Sequence, residues 1–278
     1  MTTLSKEVQS QIQLASDTSF TSLEIVYKSS PSWPYPSSPA SSSASHLTPH
    51  IAILDSSFNP PTTAHLSISL SSFPSLPTPH AYTSRLLLFS LRNVDKKLRA
   101  NPTSSEATIA QRIEMMILHA KAMEKRAPHE PIAVGLLNEP TFVGKSRIVR
   151  EYLAKGNEAT RLTFLIGSDT LIRFFDEKYY PPGQMDGLLR GYFESGSGVV
   201  NVRRGEDQVE EEMVGREGVK EWVENGALRF LGDAEITLDG GGVSSSRVRK
   251  AVAKRQSVEG LVIPEIAEYI DAHKLYMT

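Results

Sequence analysis

From Ile51 onward, short apolar runs alternate with helical patterns, and this alternation restricts the possible folds more than any other feature of the chain. The segments Ile51–Leu54, Arg85–Phe89, Pro131–Leu137, Leu162–Ile166, Val199–Val202 and Leu228–Leu231 read as strands. Helical segments intervene, the clearest being Ser104–Lys125, where Ile109, Ile113, Met116, Ile117 and Ala120 recur at helical spacing. Strands separated by helices pair in parallel through crossovers, so the pattern predicts an α/β, doubly wound parallel sheet with helices on both faces. With 278 residues, 40% of them hydrophobic, the chain can bury one substantial core, and nothing forces a second. Residues 1–50 read as an N-terminal extension with an amphipathic helix around Lys6–Ala15, an extended run at Leu23–Tyr27 and a Ser/Pro-rich stretch from Ser29 to Ser45. Residues 51–278 form the main domain, without a visible internal repeat.

Two segments have the chemistry of anion binding. The first runs from the strand Ile51–Leu54 through Asp55-Ser56-Ser57-Phe58-Asn59-Pro60-Pro61-Thr62-Thr63-Ala64 to His65. Asn59, Pro60 and Pro61 fix a turn, and His65 falls in the first turn of the next helix, where unpaired N–H groups and the helix dipole attract anions. A plain loop with a packing or surface histidine is the alternative. In the second segment, Val243-Ser244-Ser245-Ser246-Arg247-Val248-Arg249 follows Gly240-Gly241-Gly242 and precedes a helix-like stretch from Arg249 to Arg255. Three hydroxyls and the first helical N–H groups can hold phosphate oxygens, with Arg249 adding a bidentate contact. Here the alternative is a serine N-cap followed by solvated basic residues.

Together the two motifs resemble the nucleotidylyltransferase superfamily, in which a first-strand loop ending in His-x-x-His or Thr-x-x-His pairs with a late Ile-Ser-Ser-Thr-x-x-Arg motif. The resemblance narrows to the nicotinamide mononucleotide adenylyltransferases through Ser56-Ser57-Phe58-Asn59-Pro60 with Thr62 and His65. Leu165-Ile166-Gly167-Ser168-Asp169 is similar to that family's Gly-x-Asp loop, and Val200–Arg204 to its strand ending in arginine. Gln256-Ser257, Leu261–Pro264, Glu268–Ile270 and His273–Tyr276 are similar to its closing helix, so the likeness runs from about Ile51 to Tyr276. Leu54–His65 with Phe164–Tyr180 is similar to a divergent fungal-type branch related to yeast proteins linked to filamentation.

The resemblance implies a Rossmann-like fold with its crevice between the first and fourth strands of the family, and adenylyl transfer from ATP to nicotinamide mononucleotide, giving NAD and pyrophosphate. It implies His65 and Arg249 as catalytic residues. It places Ser56, Ser57, Phe58, Thr62, Lys96, Lys97, Gly167, Asp169, Ser244, Ser245, Ser246 and Arg249 around ATP and its phosphates, Ser56 and Ser57 through backbone groups. Ser57, Asp169 and Arg204, or its neighbour Arg203, fall to the mononucleotide. Magnesium is expected with ATP, held by phosphates and water. The partners implied are ATP and nicotinamide mononucleotide, or the nicotinic acid form; a homo-oligomer stays open.

The chain departs from the family at Ser56, where relatives carry glycine, and in its tryptophans, since neither Trp33 nor Trp222 maps onto the family's ring-stacking positions. Phe174, Phe175, Tyr179 and Tyr180 can supply stacking or core packing. Two alternatives therefore stand beside NAD synthesis: an accessory protein that binds or hydrolyses ATP, acting for example in protein quality control, and a nucleotidylyltransferase with another phosphate acceptor. A net charge of −2 argues against a nucleic-acid binder. The acidic run Glu206–Glu212 reads as a solvated helix face. The absence of cysteine excludes disulfides and thiol chemistry. Without a signal pattern or an apolar run near the ~20 residues of a membrane span, cytoplasmic or nuclear residence without membrane insertion is the expectation.

Overall fold

The computed structural model describes residues 6–15, 22–35, 48–72, 82–91, 106–154, 160–202, 209–231 and 242–277. In chain order the elements are α1 (Lys6–Ala15), β1 (Glu24–Lys28), β2 (His50–Asp55), α2 (Thr63–Leu70), β3 (Ser84–Ser90), α3 (Ile109–Arg126), β4 (Ile132–Leu137) and α4 (Phe142–Leu153). There follow β5 (Arg161–Gly167), α5 (Ser168–Phe174), α6 (Met185–Glu194), β6 (Ser197–Val202), α7 (Val209–Gly215), α8 (Lys220–Glu224), β7 (Leu228–Leu231), α9 (Ser245–Ala253) and α10 (Pro264–Ala272).

The strands make one seven-stranded sheet in the order β1-β4-β3-β2-β5-β6-β7. Strands β2 to β7 are parallel, and β1 pairs antiparallel with β4 at one edge. The apolar runs in β2, β3 and β4 are buried on both faces, as doubly covered strands require. Alternate residues supply two cores. Ala52, Leu54, Leu87, Phe89 and Leu165 face α2, α3, α9 and α10, whereas Ile51, Ile53, Leu88, Phe164 and Ile166 face α4 to α8. The edge strand β1 fits because β4 carries Gly135, where a Cβ would lie 3.0 Å from Leu23 and 3.2 Å from Ile25. Trp33, in the Ser/Pro-rich stretch, is buried and donates its Nε1–H to the carbonyl of Arg85 at 3.1 Å.

Two helix starts differ from the expected ones. Helix α3 begins at Ile109 and not Ser104, because Thr108 accepts the Gln111 N–H while the Gln111 side chain reaches back to Thr108. Helix α9 begins at Ser245 and not Arg249, because Ser244 accepts the Arg247 N–H at 3.2 Å. Among the described residues no helix is long and apolar enough to cross a membrane.

Strand order reverses between β2 and β5, the point at which open parallel sheets bind ligands beyond their carboxyl ends. Leu54 pairs with Leu165, so Ser56 and Gly167 leave the sheet side by side. The two expected loops therefore open onto one crevice.

Candidate active site

The loop after β2 leads into α2 through a capping box. Thr62 accepts the His65 N–H, and the Thr62 N–H donates to His65 Nδ1 at 3.0 Å. An amide can only donate, so Nδ1 accepts and the neutral ring carries its proton on Nε2. Nε2 lies 3.0 Å from Ser56 Oγ. The cap thus presents an N–H from the first turn of a helix at the switch point, and the Phe58 ring packs beside the imidazole at a centroid distance of 5.2 Å. Phe58 is fully buried with φ of 43°. That left-handed conformation costs about 1 kcal/mol in a non-glycine residue, and core packing of the ring offsets it.

Distant segments pin this loop. Ser245 Oγ donates to the Pro60 carbonyl at 2.7 Å, and Arg249 Nη1 to the Asn59 carbonyl at 2.6 Å. Arg249 Nη2 reaches Ser246 Oγ at 3.2 Å. Tyr276, 217 residues away in sequence, donates to Asn59 Oδ1 at 2.8 Å, and the Ala107 N–H donates to the same oxygen at 3.2 Å. The Thr63 N–H donates to the Leu261 carbonyl at 3.0 Å. The starts of α2 and α9, read from the sequence as two anion-binding segments around one ATP, form one assembly.

Several expected ligands sit differently from the expectation. The Ser56 N–H, expected to hold phosphate, donates instead to the Leu88 carbonyl at 3.3 Å, because the β2–β3 pairing continues one residue beyond the strand. Only the hydroxyl of Ser56 faces His65, whereas Ser57 is exposed. Thr62 is buried, with its hydroxyl engaged in the cap, and Ser244 serves as the N-cap of α9. Gly167 is the N-cap of α5 without a side-chain cap bond, which leaves Asp169 exposed in the first turn. Phe174 and Phe175 are core residues that pack on Phe193. Another aromatic stack, Phe193 on Trp222 at 4.5 Å, borders a cavity of about 350 Å³ at the amino ends of β5 to β7, the opposite edge of the sheet from the crevice. Lys96, Lys97, Arg203 and Arg204 lie outside the described residues.

Two groups at this edge are not evident from the sequence. Arg112 is buried behind the loop, donating Nε to the Ala107 carbonyl at 2.9 Å. Burial holds its pKa below the ordinary value, Glu106 and Tyr276 oppose that shift, and the nearby Arg249 adds to it. The second group is an ion pair at the end of β2 between Asp55 and Lys145, with Ser90 Oγ donating to Asp55 Oδ1 at 2.8 Å. A lysine closing the first turn of a Thr-capped helix that starts at this edge was the available signal. Among the described residues no group of three or more His, Cys, Asp or Glu is placed to hold a metal ion.

No family model matches the chain. It is 33% identical, over 51% of its length and 49% of the other's, to the Schizosaccharomyces pombe protein named "Putative nicotinamide mononucleotide adenylyltransferase". It is 30% identical, over 48% of each chain, to the Oryza sativa nicotinamide/nicotinic acid mononucleotide adenylyltransferase. These matches span about half the length of the relatives. The Plasmodium falciparum nicotinic acid mononucleotide adenylyltransferase complexed with APC superposes over 82% of this chain and 97% of its own, with a TM-score of 0.50 and 16% identity, a likeness of fold. The chain is thus similar to nicotinamide and nicotinic acid mononucleotide adenylyltransferases, in sequence over about half its length and in fold over most of it.

Proposed function

We propose that this protein transfers the adenylyl group of ATP to a pyridine mononucleotide, nicotinamide mononucleotide or its nicotinic acid counterpart, as a step in NAD biosynthesis. One observation carries this reading: the His65 Nε2–H, set by the Thr62 cap, stands in a loop that Ser245 and Arg249 hold from the far end of the chain.

In the reaction a 5′-phosphate oxygen of the mononucleotide attacks the α-phosphorus of ATP in line. The new O–Pα bond forms as the bond from Pα to the bridging oxygen breaks, and pyrophosphate leaves with that electron pair. Positioning and neutralisation of charge supply most of the rate. His65 Nε2–H donates to a non-bridging α-phosphate oxygen, exchanging Ser56 for substrate. Arg249, with the hydroxyl of Ser246, turns its fork to the β- and γ-phosphates, and Asp169 accepts from ribose hydroxyls. Magnesium enters with ATP on phosphate and water oxygens, neutralising the triphosphate. The names of the relatives support both forms of the mononucleotide.

The test is incubation of purified protein with magnesium-ATP and each mononucleotide, followed by chromatographic measurement of dinucleotide and pyrophosphate. Equal amounts of the two products are expected. ATP turnover to ADP and phosphate without dinucleotide would overturn the reading in favour of the accessory-protein alternative.

A further inference from the structure

The ammonium of Lys145 is nearly withdrawn from solvent, its side chain 4% exposed, and it rests on Asp55, whose side chain is 11% exposed. An ammonium has three N–H donors, and a buried ion pair is stable only when the remaining donors are also satisfied. Among the described residues Asp55 is the single hydrogen-bond acceptor of Lys145. Its other neighbour is the Phe142 ring, 4.7 Å from Nζ to the centroid, which offers a π-face and no lone pair. Asp55 is held in turn by Ser90 from the end of β3.

The position of the pair matters as much as its bonding. Asp55 is the last residue of β2, immediately before Ser56, and Lys145 closes the first turn of α4, which starts beyond the carboxyl end of β4. The cation therefore belongs to the carboxyl edge where strand order reverses. It lies on the α4 to α8 face of the sheet, because Asp55 continues the alternation of Ile51 and Ile53. His65 lies on the other face, among the α2 and α3 packing. A lysine whose other donors meet no acceptor among the described residues, on the side away from the assembly of His65 and Arg249, matches the second anion that adenylyl transfer requires.

We propose that Lys145, seated on Asp55 and Ser90, binds an oxyanion of the mononucleotide, either its 5′-phosphate or, in the nicotinic acid form, its ring carboxylate. This rests on the adenylyltransferase reading. Asp55 acts as the positioning residue that keeps the ammonium aimed.

Lys145→Met alone strands a carboxylate, so the decisive variant is Asp55→Asn with Lys145→Met, which removes both charges and keeps an acceptor for Ser90. KM for ATP, for nicotinamide mononucleotide and for nicotinic acid mononucleotide is measured in the parent and the double variant, beside thermal melting. Loss of one charge-assisted contact predicts a rise of about 10- to 100-fold in the mononucleotide KM, with ATP KM within about twofold. An equal rise for both mononucleotides assigns the ammonium to the phosphate; a rise confined to the acid form assigns it to the carboxylate. Mononucleotide KM values unchanged in an active, folded double variant would overturn the inference and leave the adenylyltransferase reading standing. A parent inert toward both mononucleotides would remove that reading, and this inference with it. If the double variant fails to fold, Lys145→Arg answers the same question: the cation is kept on Asp55 but its reach and donor geometry change, so unaltered mononucleotide KM values there would also overturn the inference.

Discussion

The loop after β2 and the loop after β5 leave the same edge of the sheet side by side, yet they are built in opposite ways. The first is buried from Phe58 to Thr62 and tied by hydrogen bonds with Ala107, Ser245, Arg249, Leu261 and Tyr276, so that its shape depends on the whole chain being folded. The second passes straight from strand to helix at Gly167, without a side-chain cap, and leaves Asp169 exposed. A reaction that moves a highly charged phosphoryl group gains most from donors fixed before substrate arrives. An exposed carboxylate suits the neutral hydroxyls of a ribose. On the proposed reaction, the difference concentrates preorganisation where charge develops in the transition state.

The largest expected effect follows from breaking the first loop at its centre. His65→Ala should lower kcat by about 10²- to 10³-fold, as removal of one transition-state donor typically does, with stability reduced only by the lost cap, about 1 kcal/mol. Steady-state kinetics beside thermal melting separates the two effects; activity within a few-fold of the parent contradicts the role given to His65. Arg249→Lys keeps the charge but loses the fork that spans Asn59 and Ser246. An ATP KM raised by about tenfold is expected, and unchanged ATP saturation curves would contradict it.

The wall behind the same loop offers a stability test. His119, fully buried in α3 at 6.5 Å from the Phe58 ring, has no hydrogen-bond partner on either ring nitrogen among the described residues. Burial, with a smaller push from Arg126, lowers its pKa to about 3. Because the unfolded chain takes up this proton near pH 6.5 and the folded chain does not, stability should fall with decreasing pH between about 6.5 and 3, by at most about 1.4 kcal/mol per unit. Denaturant unfolding of His119→Leu across that range should show a flatter acid limb, and an identical slope would rule out this origin. The smallest effect is expected for Tyr276→Phe, which removes one bond to Asn59 while Ala107 still satisfies the same oxygen. Calorimetry should register a loss of about 1 kcal/mol; a loss several times larger would mean that the loop depends on this one contact.

The apolar alternation was enough to read β2 to β7, since strands covered on both faces must be apolar throughout, and the His65 position in the first turn of α2 followed from its spacing after Pro60 and Pro61. Local capping decided what the pattern could not: Thr108 and Ser244 set the starts of α3 and α9 through side-chain bonds rather than periodicity. The pairing of Asp55 with Lys145, 90 residues apart, depends on α4 folding over the sheet, so the local sequence marks the lysine near the start of a capped helix but not its partner. The same holds for the Ser245 hydroxyl, whose partner Pro60 is set by tertiary contact, whereas Ser246 and Arg249 are local partners three residues apart in α9. Phe174 and Phe175 read equally well as stacking or core residues, and burial against Phe193 places them in the core.

The central claim is that the start of α2 and the start of α9 act on one triphosphate, and a double-mutant cycle tests it directly. The value of kcat/KM for dinucleotide formation is measured for the parent, His65→Ala, Arg249→Ala and the double variant. Groups acting on the same transition state as a unit are non-additive, so the double variant should be far more active than the product of the two single losses predicts. Losses that multiply fully, or a single variant with no loss, would contradict the account.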